Sequence, residues 1–241
     1  MKERNILTIG EVARFLGVSI DTLRRWDLKG KLKAAKSSGG HRYYTKEQLE
    51  VFALDLEALA SVWAESQTAP ELLPDHYCYT QDVFRARLDR MAFDLDRDPV
   101  MKNLAPLTVA VTGEIGNNSF DHNIGNWPDV PGIFFAYNVT KRVTVLADRG
   151  VGIRTTLMRV RPDLRDDVMA LRTAFTERIS GRAPEQRGNG LKFVNTIATQ
   201  NPIGISLQSG TAIARIAKRN GSLKIGLAEK YIRGTLVVIT Y

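Results

Sequence analysis

Three polar side chains in one short stretch could do chemistry together. Residues 113–123 read GEIGNNSFDHN and place Glu114, Asn118 and His122 four residues apart. In a helix, at about 100° per residue, the three side chains drift only about 80° around the axis and share one face. A glutamate can orient water, an asparagine oxygen suits Mg²⁺, and a histidine can reach phosphate oxygens. The spacing indicates a nucleotide site; the alternative is a solvated helix end.

Three later segments bring glycines and one more acid. Residues 147–153 read ADRGVGI after the β-branched run 143–146, residues 187–191 read RGNGL before a helical pattern, and Gly234 and Thr235 precede the final apolar run. Glycine lets backbone approach a ligand closely, and a helix N-terminus binds anions. We therefore expect several separate loops to surround one ligand.

Residues 107–241 resemble the GHKL ATPase superfamily, which includes gyrase and histidine-kinase catalytic domains. The N-box is matched by Glu114, Asn118 and His122. The first glycine box is matched by Asp148, Gly150 and Gly152, and the second by Gly188 and Gly190. The final-strand signature is matched by Gly234 and Thr235. The resemblance implies a two-layer α/β sandwich of the Bergerat type, with ATP and Mg²⁺ as cofactors.

The resemblance also implies a role for each position. Glu114 is the catalytic residue that positions the attacking water or hydroxyl, Asn118 holds Mg²⁺, and Asp148 accepts a hydrogen bond from the adenine amino group. The remaining cofactor-binding residues are His122, Gly150, Gly152, Arg187, Gly188, Asn189, Gly190 and Thr235. In such proteins the region between the two glycine boxes, here residues 154–187, is a mobile lid; an ordinary surface helix over residues 166–178 is the alternative.

The N-terminal fifty residues carry a different pattern. Thr8 and Glu11 form a capping-box pattern before a short helix that ends near Gly17, and Ser19 can cap a second helix over residues 20–29. Leu23 and Trp26 would face inward in that helix. Two short helices joined by a small-residue turn indicate a helix-turn-helix, whose second helix enters the major groove.

Residues 7–52 resemble the winged helix-turn-helix of MerR-like and excisionase-like proteins, carried by IGEVARFLGVSIDTLRRWDLKGKL and SGGHRYY. The resemblance implies double-stranded DNA as the partner. Contacts from the second helix are expected from Thr22, Arg24, Arg25 and Lys29, and contacts from the wing from His41, Arg42 and Tyr43. Residues 1–50 carry eleven Lys or Arg and six acids, which agrees with a polyanionic partner.

A chain of 241 residues favours two domains, and the proline-containing segment 67–79 is the boundary candidate. We expect a winged domain over 1–66, a linker and helix over 67–106, and the ATP-binding domain over 107–241. The fold class is α+β. The apolar spacing predicts helices over 82–96 and from 46 through Trp63, and strands over 131–139, 142–147, 203–207, 212–217, 223–227 and 236–241.

The patterns together predict a DNA-binding regulator whose DNA binding or oligomerisation is controlled by Mg-ATP binding and hydrolysis. The alternatives are a protein serine/threonine kinase of the anti-sigma-factor type acting on a small STAS-like partner, and a scaffold that binds nucleotide without hydrolysis. No apolar run is long enough for a membrane span, and the charged start lacks a signal-peptide core. We therefore expect a cytoplasmic, nucleoid-associated protein with no membrane partner, and homodimer formation stays open.

Overall fold

The computed structural model describes residues 6–16, 19–28, 30, 32–53, 55–177, 190–219 and 221–241. The chain divides into two compact units, Met1–Leu72 and Leu73–Tyr241. Lys29, Arg187, Gly188 and Asn189, which the sequence marks as site residues, lie outside the described residues, as does Gly17.

The described part of the first unit contains three short strands and four helices, and side-chain caps mark the starts of the helices. Thr8 and Glu11 form the reciprocal capping box expected from the sequence, and Thr22 N donates to Ser19 Oγ at 3.1 Å. The elements are β1 (Ile6–Thr8), α1 (Ile9–Phe15), α2 (Ile20–Leu28), β2 (Ala35–Lys36), β3 (Arg42–Thr45), α3 (Lys46–Ala53) and α4 (Leu56–Glu65). The antiparallel sheet has the order β1-β3-β2.

The apolar stripe that predicts one helix through Trp63 lies on two separate helices. Helix α3 ends at Ala53, and Asp55 caps α4 by accepting from Ala58 N at 3.1 Å. A side-chain cap competes with continuation of the helix, since it satisfies the backbone donors of a new first turn. Leu23 and Trp26 are buried as expected, in a core with Val12, Tyr44, Leu49, Phe52 and Val62.

The second unit is a five-stranded antiparallel sheet with helices. Its elements are β4 (Tyr77–Cys78), α5 (Gln81–Asp96), α6 (Ala105–Asn123), β5 (Ile133–Asn138), β6 (Val143–Asp148), α7 (Ile153–Leu157), α8 (Asp167–Thr176), α9 (Gly190–Gln200), β7 (Gly204–Ile216) and β8 (Lys224–Thr240). The strand order is β4-β5-β6-β8-β7. The architecture is therefore mixed α/β, with helices and an antiparallel sheet in this unit.

Two helices belong to the core of this unit rather than to connecting segments. Helix α5, expected within a linker, buries Phe84, Met91 and Leu95 against α6 and the sheet. Helix α8, expected within a mobile lid, buries Leu171 and Phe175 completely in the same core. The part of the predicted lid that holds α8 is thus fixed by apolar burial.

The four C-terminal strands expected from the sequence are two long, bent strands. Register shifts lie between Ser209 and Gly210 and between Gly210 and Ala212 of β7. The bend brings the connection between β7 and β8 close to the C-terminal end of β8. There Lys218 Nζ donates to the carbonyl oxygen of Tyr241 at 2.7 Å. Bulges increase local twist and bend a strand, which explains why the apolar pattern breaks there without ending the ladder.

Candidate functional site

Helix α6 carries Glu114, Asn118 and His122 as the spacing predicted. Asn118 Nδ2 donates to Glu114 Oε1 at 3.1 Å, so the amide and the carboxylate are neighbours on one face. Both side chains are half-buried, as is His122 in the last turn of the helix. Among the described residues, the amide oxygen of Asn118 accepts no hydrogen bond, and it remains suited to a hard cation.

Gly190, the first residue of α9, lies directly against this pair. A Cβ at Gly190 would stand 2.0 Å from Glu114 Oε1 and 2.9 Å from Asn118 Nδ2, so a larger residue there would require Glu114 to move. The tertiary structure therefore joins two sequence segments more than seventy residues apart. The N-terminus of α9, with its unpaired backbone N–H groups, faces the carboxylate and amide of α6.

Asp148 ends β6 and is almost fully buried, at 1% exposure. Its Oδ2 accepts from Ser119 Oγ at 2.8 Å and from Thr235 Oγ1 at 2.5 Å, and its Oδ1 accepts from Gly150 N at 2.9 Å. Burial raises the pKa of Asp148 above its ordinary value, and the hydrogen bonds from Thr235, Ser119 and Gly150 oppose that rise. A carboxylate has about four acceptor positions, and the donors Ser119 Oγ, Thr235 Oγ1 and Gly150 N account for three of them.

The glycines around Asp148 are required by close approach. A Cβ at Gly150 would stand 2.2 Å from the amide of Asn123, and one at Gly234 would stand 2.3 Å from the carbonyl oxygen of Asp148. Gly234 also has φ of +71°, a conformation that favours glycine. Gly234 thus lets β8 approach the end of β6 at the carboxylate, and Gly150 lets the turn after β6 pack against Asn123 of α6.

Three polar residues that support this site were missed from the sequence. Asn123 accepts from Val151 N at 2.9 Å and donates to Ser119 O at 2.7 Å, which ties α6 to the glycine-containing turn. Ser209 Oγ accepts from Ile153 N at 3.0 Å and donates to Gly234 O at 2.9 Å. Ser119 and Asn123 form a second i, i+4 pair within residues 113–123, and that spacing was the available signal.

The residue that follows Asp148 is a buried arginine paired with another acid. Arg149 is 1% exposed and its Nε donates to Asp129 Oδ2 at 2.8 Å, and its Nη2 donates to the same oxygen. Arg233 Nη1 reaches that oxygen at 3.4 Å. An open cleft adjoins this region; it is lined by Val151, Gly152, Ile153, Arg154, Thr155, Met158, Asp167, Ser209, Gly210, Tyr231, Ile232 and Gly234.

In the N-terminal unit, the side chains expected to contact DNA differ in accessibility. Arg24, Arg25 and His41 are exposed, and Arg24 pairs with Asp21 on the helix surface at 2.9 Å. Thr22, expected to face outward, is buried at 8% exposure, because its hydroxyl bonds Ser19 Oγ at 3.0 Å under the first turn of α2. Tyr43 is half-buried in β3.

Arg42 has an intramolecular partner that the sequence did not reveal. Its Nε donates to Asp27 Oδ2 at 2.7 Å, and Ala34 N donates to Asp27 Oδ1 at 3.1 Å. The hydrogen bond from Arg42 and then that from Ala34 lower the pKa of Asp27 below its ordinary value. Asp27 therefore fastens the hairpin of β2 and β3 to the end of α2.

The described residues contain neither a protein-only metal cluster nor a membrane-spanning helix. Over the described ranges, no group of three or more His, Cys, Asp or Glu side chains is arranged to hold a metal ion. No helix in the part of the chain that the structure describes is long and apolar enough to cross a membrane.

Comparison with known proteins adds three findings. Residues 8–44 match the family model described as MerR family regulatory protein. The chain is 42% identical over 59 residues to the type II methyltransferase M.Eco47II of Escherichia coli. The matched segment makes up 24% of this chain and 14% of that protein. The chain thus spans about a seventh of that relative.

A solved structure is similar at a lower level. The 43K ATPase domain of Thermus thermophilus gyrase B, crystallised with an aminocoumarin, has a TM-score of 0.32 and 20% identity, over 54% of this chain and 32% of that chain. Such a score is too low to support an argument about fold. The N-terminal match is the informative one: residues 8–44 are a MerR-type helix-turn-helix segment.

Proposed function

We propose that this chain is a DNA-binding regulator whose second unit binds Mg-ATP, so that ATP binding and hydrolysis control DNA binding or oligomerisation. The observation that carries the proposal is the convergence of α6, the end of β6 and the start of the last segment of β8 on the carboxylate of Asp148. The MerR match at residues 8–44 supports the DNA-binding part.

Asp148 would recognise the base. Its Oδ1 accepts one hydrogen bond from Gly150 N, and the exocyclic amine of adenine could donate the next. Guanine presents a carbonyl oxygen at the corresponding position, which would repel the carboxylate. This arrangement supports selectivity for ATP over GTP.

Glu114, Asn118 and Gly190 would receive the phosphates. Gly190 N lies at the start of an eleven-residue helix, where backbone N–H groups and the helix dipole favour anions. The Asn118 oxygen would bind Mg²⁺, and Mg²⁺ would neutralise phosphate charge. Glu114, held by the amide of Asn118, would orient the attacking water or hydroxyl.

The isosteric change Asp148→Asn tests the proposal. It replaces one acceptor oxygen by a donor, which should weaken ATP binding by about 1 to 3 kcal/mol through an unsatisfied polar contact. Calorimetric titration of the full chain with Mg-ATP and Mg-GTP measures the loss. Asp89→Asn makes the same chemical change at an exposed position of α5 and serves as the control.

Equal ATP affinity in wild type, Asp148→Asn and Asp89→Asn would contradict the assignment of Asp148. Labelled ATP supplied with and without cell extract then separates the reaction classes. Release of free phosphate supports the ATPase, whereas label on a second protein supports the serine/threonine kinase with a small STAS-like target.

A further inference from the structure

The hairpin of β7 and β8 is the most basic part of the second unit. Residues 204–240 contain six Lys or Arg and a single acid, Glu229. Three of the six bases have structural partners: Lys218 donates to the carbonyl oxygen of Tyr241, Arg233 reaches Asp129, and Lys230 also interacts with a neighbouring group. Arg215, Arg219 and Lys224 are exposed, and none of the three has an ion pair with another described residue. We call these three residues the basic hairpin face.

Arg215 and Lys224 are directly opposed in the ladder. Ala214 and Ile216, which flank Arg215, belong to the apolar core. Alternation along the strand therefore places Arg215, and Lys224 opposite it, on the face turned away from the core. Like charges directly opposite each other on antiparallel strands destabilise a sheet. An anion that binds across such a pair reduces this repulsion.

The basic hairpin face is separate from the Asp148 site. Thr235, which contacts Asp148, pairs with Ser209 on one side of the register shifts, whereas Arg215 and Lys224 pair on the other side. Nucleotide at Asp148 would therefore leave the basic hairpin face accessible to a second anion.

We propose that the basic hairpin face is a second DNA-binding surface, which contacts the phosphate backbone of the duplex held by the N-terminal unit. This inference rests on the proposed DNA-binding function. Duplex DNA carries about one negative charge per 1.7 Å of its axis, so it can neutralise several neighbouring cations at once. A two-stranded ribbon is also an element that DNA grooves admit.

Duplex DNA is favoured over an acidic protein because the MerR-type segment is on the same chain. A duplex bound by that segment is present at a raised local concentration for other surfaces of the same chain. Three weak backbone contacts then contribute to affinity without adding base recognition.

The test compares two full-length triple variants in DNA titrations at several salt concentrations, using a 30-base-pair duplex of mixed sequence. Arg215→Gln/Arg219→Gln/Lys224→Gln removes the basic hairpin face. Arg85→Gln/Arg90→Gln/Lys102→Gln removes the same charge from exposed positions elsewhere in the second unit. We expect the first variant to bind about tenfold more weakly and its salt slope to fall by about two to three, since each phosphate contact contributes about 0.9. The second should change affinity less than about twofold.

Three outcomes separate the proposals. Equal affinities and salt slopes of the two variants would overturn the basic hairpin face as a DNA surface, while leaving the DNA-binding regulator intact. Failure of wild type to bind any duplex would overturn DNA binding itself. A lower melting temperature of the hairpin variant would assign these charges to folding instead, because removal of opposed like charges should leave stability equal or higher.

Discussion

At the scale of single residues, Glu114 and Asp148 are carboxylates in different environments, and this predicts different roles. Asp148 is buried and receives three hydrogen bonds, which suits recognition of a fixed donor. Glu114 is half-buried and bonded by one amide, with the N-terminus of α9 beside it. A carboxylate in such a place can hold a water at the rim of a site.

Glu114→Gln should therefore lower turnover more than binding. The variant keeps the shape of the side chain and loses the negative charge that orients water, so an interaction made mainly in the transition state is removed. We expect phosphate release to fall at least about a hundredfold, as general-base loss typically gives. Calorimetry should show ATP affinity within about threefold of wild type.

Glu229→Gln, on the exposed surface of β8, is the matched control for phosphate release. Hydrolysis by Glu114→Gln at the rate of this control would assign the base to another residue.

At the scale of elements, the junction of α2 with the hairpin of β2 and β3 depends on one carboxylate. Asp27 accepts from Arg42 and from the backbone of Ala34. The sequence assigned Arg42 to DNA contact, and that assignment stays a prediction. The structure adds a second role for Arg42, since loss of its guanidinium would also release the hairpin from α2.

The pKa of Asp27 is lowered in the folded chain, so its contribution to stability is present above its ordinary value of 3.8 and disappears as pH falls through the lowered folded value. Asp27→Asn should lower the free energy of unfolding of the first unit by about 1 kcal/mol at pH 7. The gap to wild type should begin to narrow near pH 3.8 and close as pH falls through the lowered folded pKa. Scanning calorimetry of the full chain at pH 7, 5 and 3.5 follows this change.

Asp21→Asn removes an exposed i, i+3 pair with Arg24 and should cost less than about 0.5 kcal/mol. A stability loss for Asp27→Asn no greater than for Asp21→Asn, or one that persists unchanged at pH 3.5, would show that the ion pair does not anchor the hairpin.

At the scale of the whole molecule, regulation requires that nucleotide bind two states of the protein with different affinity. Gly234 and Thr235 contact Asp148 and belong to the same strand as Lys224, so one continuous element links the candidate nucleotide site to the basic hairpin face. Leu171 and Phe175 fix helix α8 in the core. Helix α8 is therefore not a part of the predicted lid that could move as a unit.

A non-hydrolysable ATP analogue should change oligomeric state and DNA affinity together, with a coupling of about 1 to 3 kcal/mol. Pairing of two helix-turn-helix units would raise affinity by avidity without new base contacts. Light scattering and DNA titrations compare the apo, analogue-bound and ADP-bound protein. Identical mass and affinity in all three forms would contradict control by nucleotide and favour the kinase that DNA binding merely localises.

The sequence by itself determined the features that depend on neighbours along the chain. Capping at Thr8 and Ser19, the i, i+4, i+8 face of α6, and the strands of the β5–β6 hairpin follow from local patterns. The MerR-type segment is also local, since its helices and hairpin are contiguous within residues 8–44.

The tertiary structure decided what depends on distant partners. The contacts of Asp148 with Ser119 and Thr235, the close approach of Gly190 to Glu114, and the pairing of Arg42 with Asp27 join residues that no local spacing relates. The same holds for the placement of α5 and α8 in the core and for the bend that makes two strands from four predicted ones. Burial and long-range hydrogen bonding select these arrangements, because a local pattern specifies which face is apolar but not which surface will cover it.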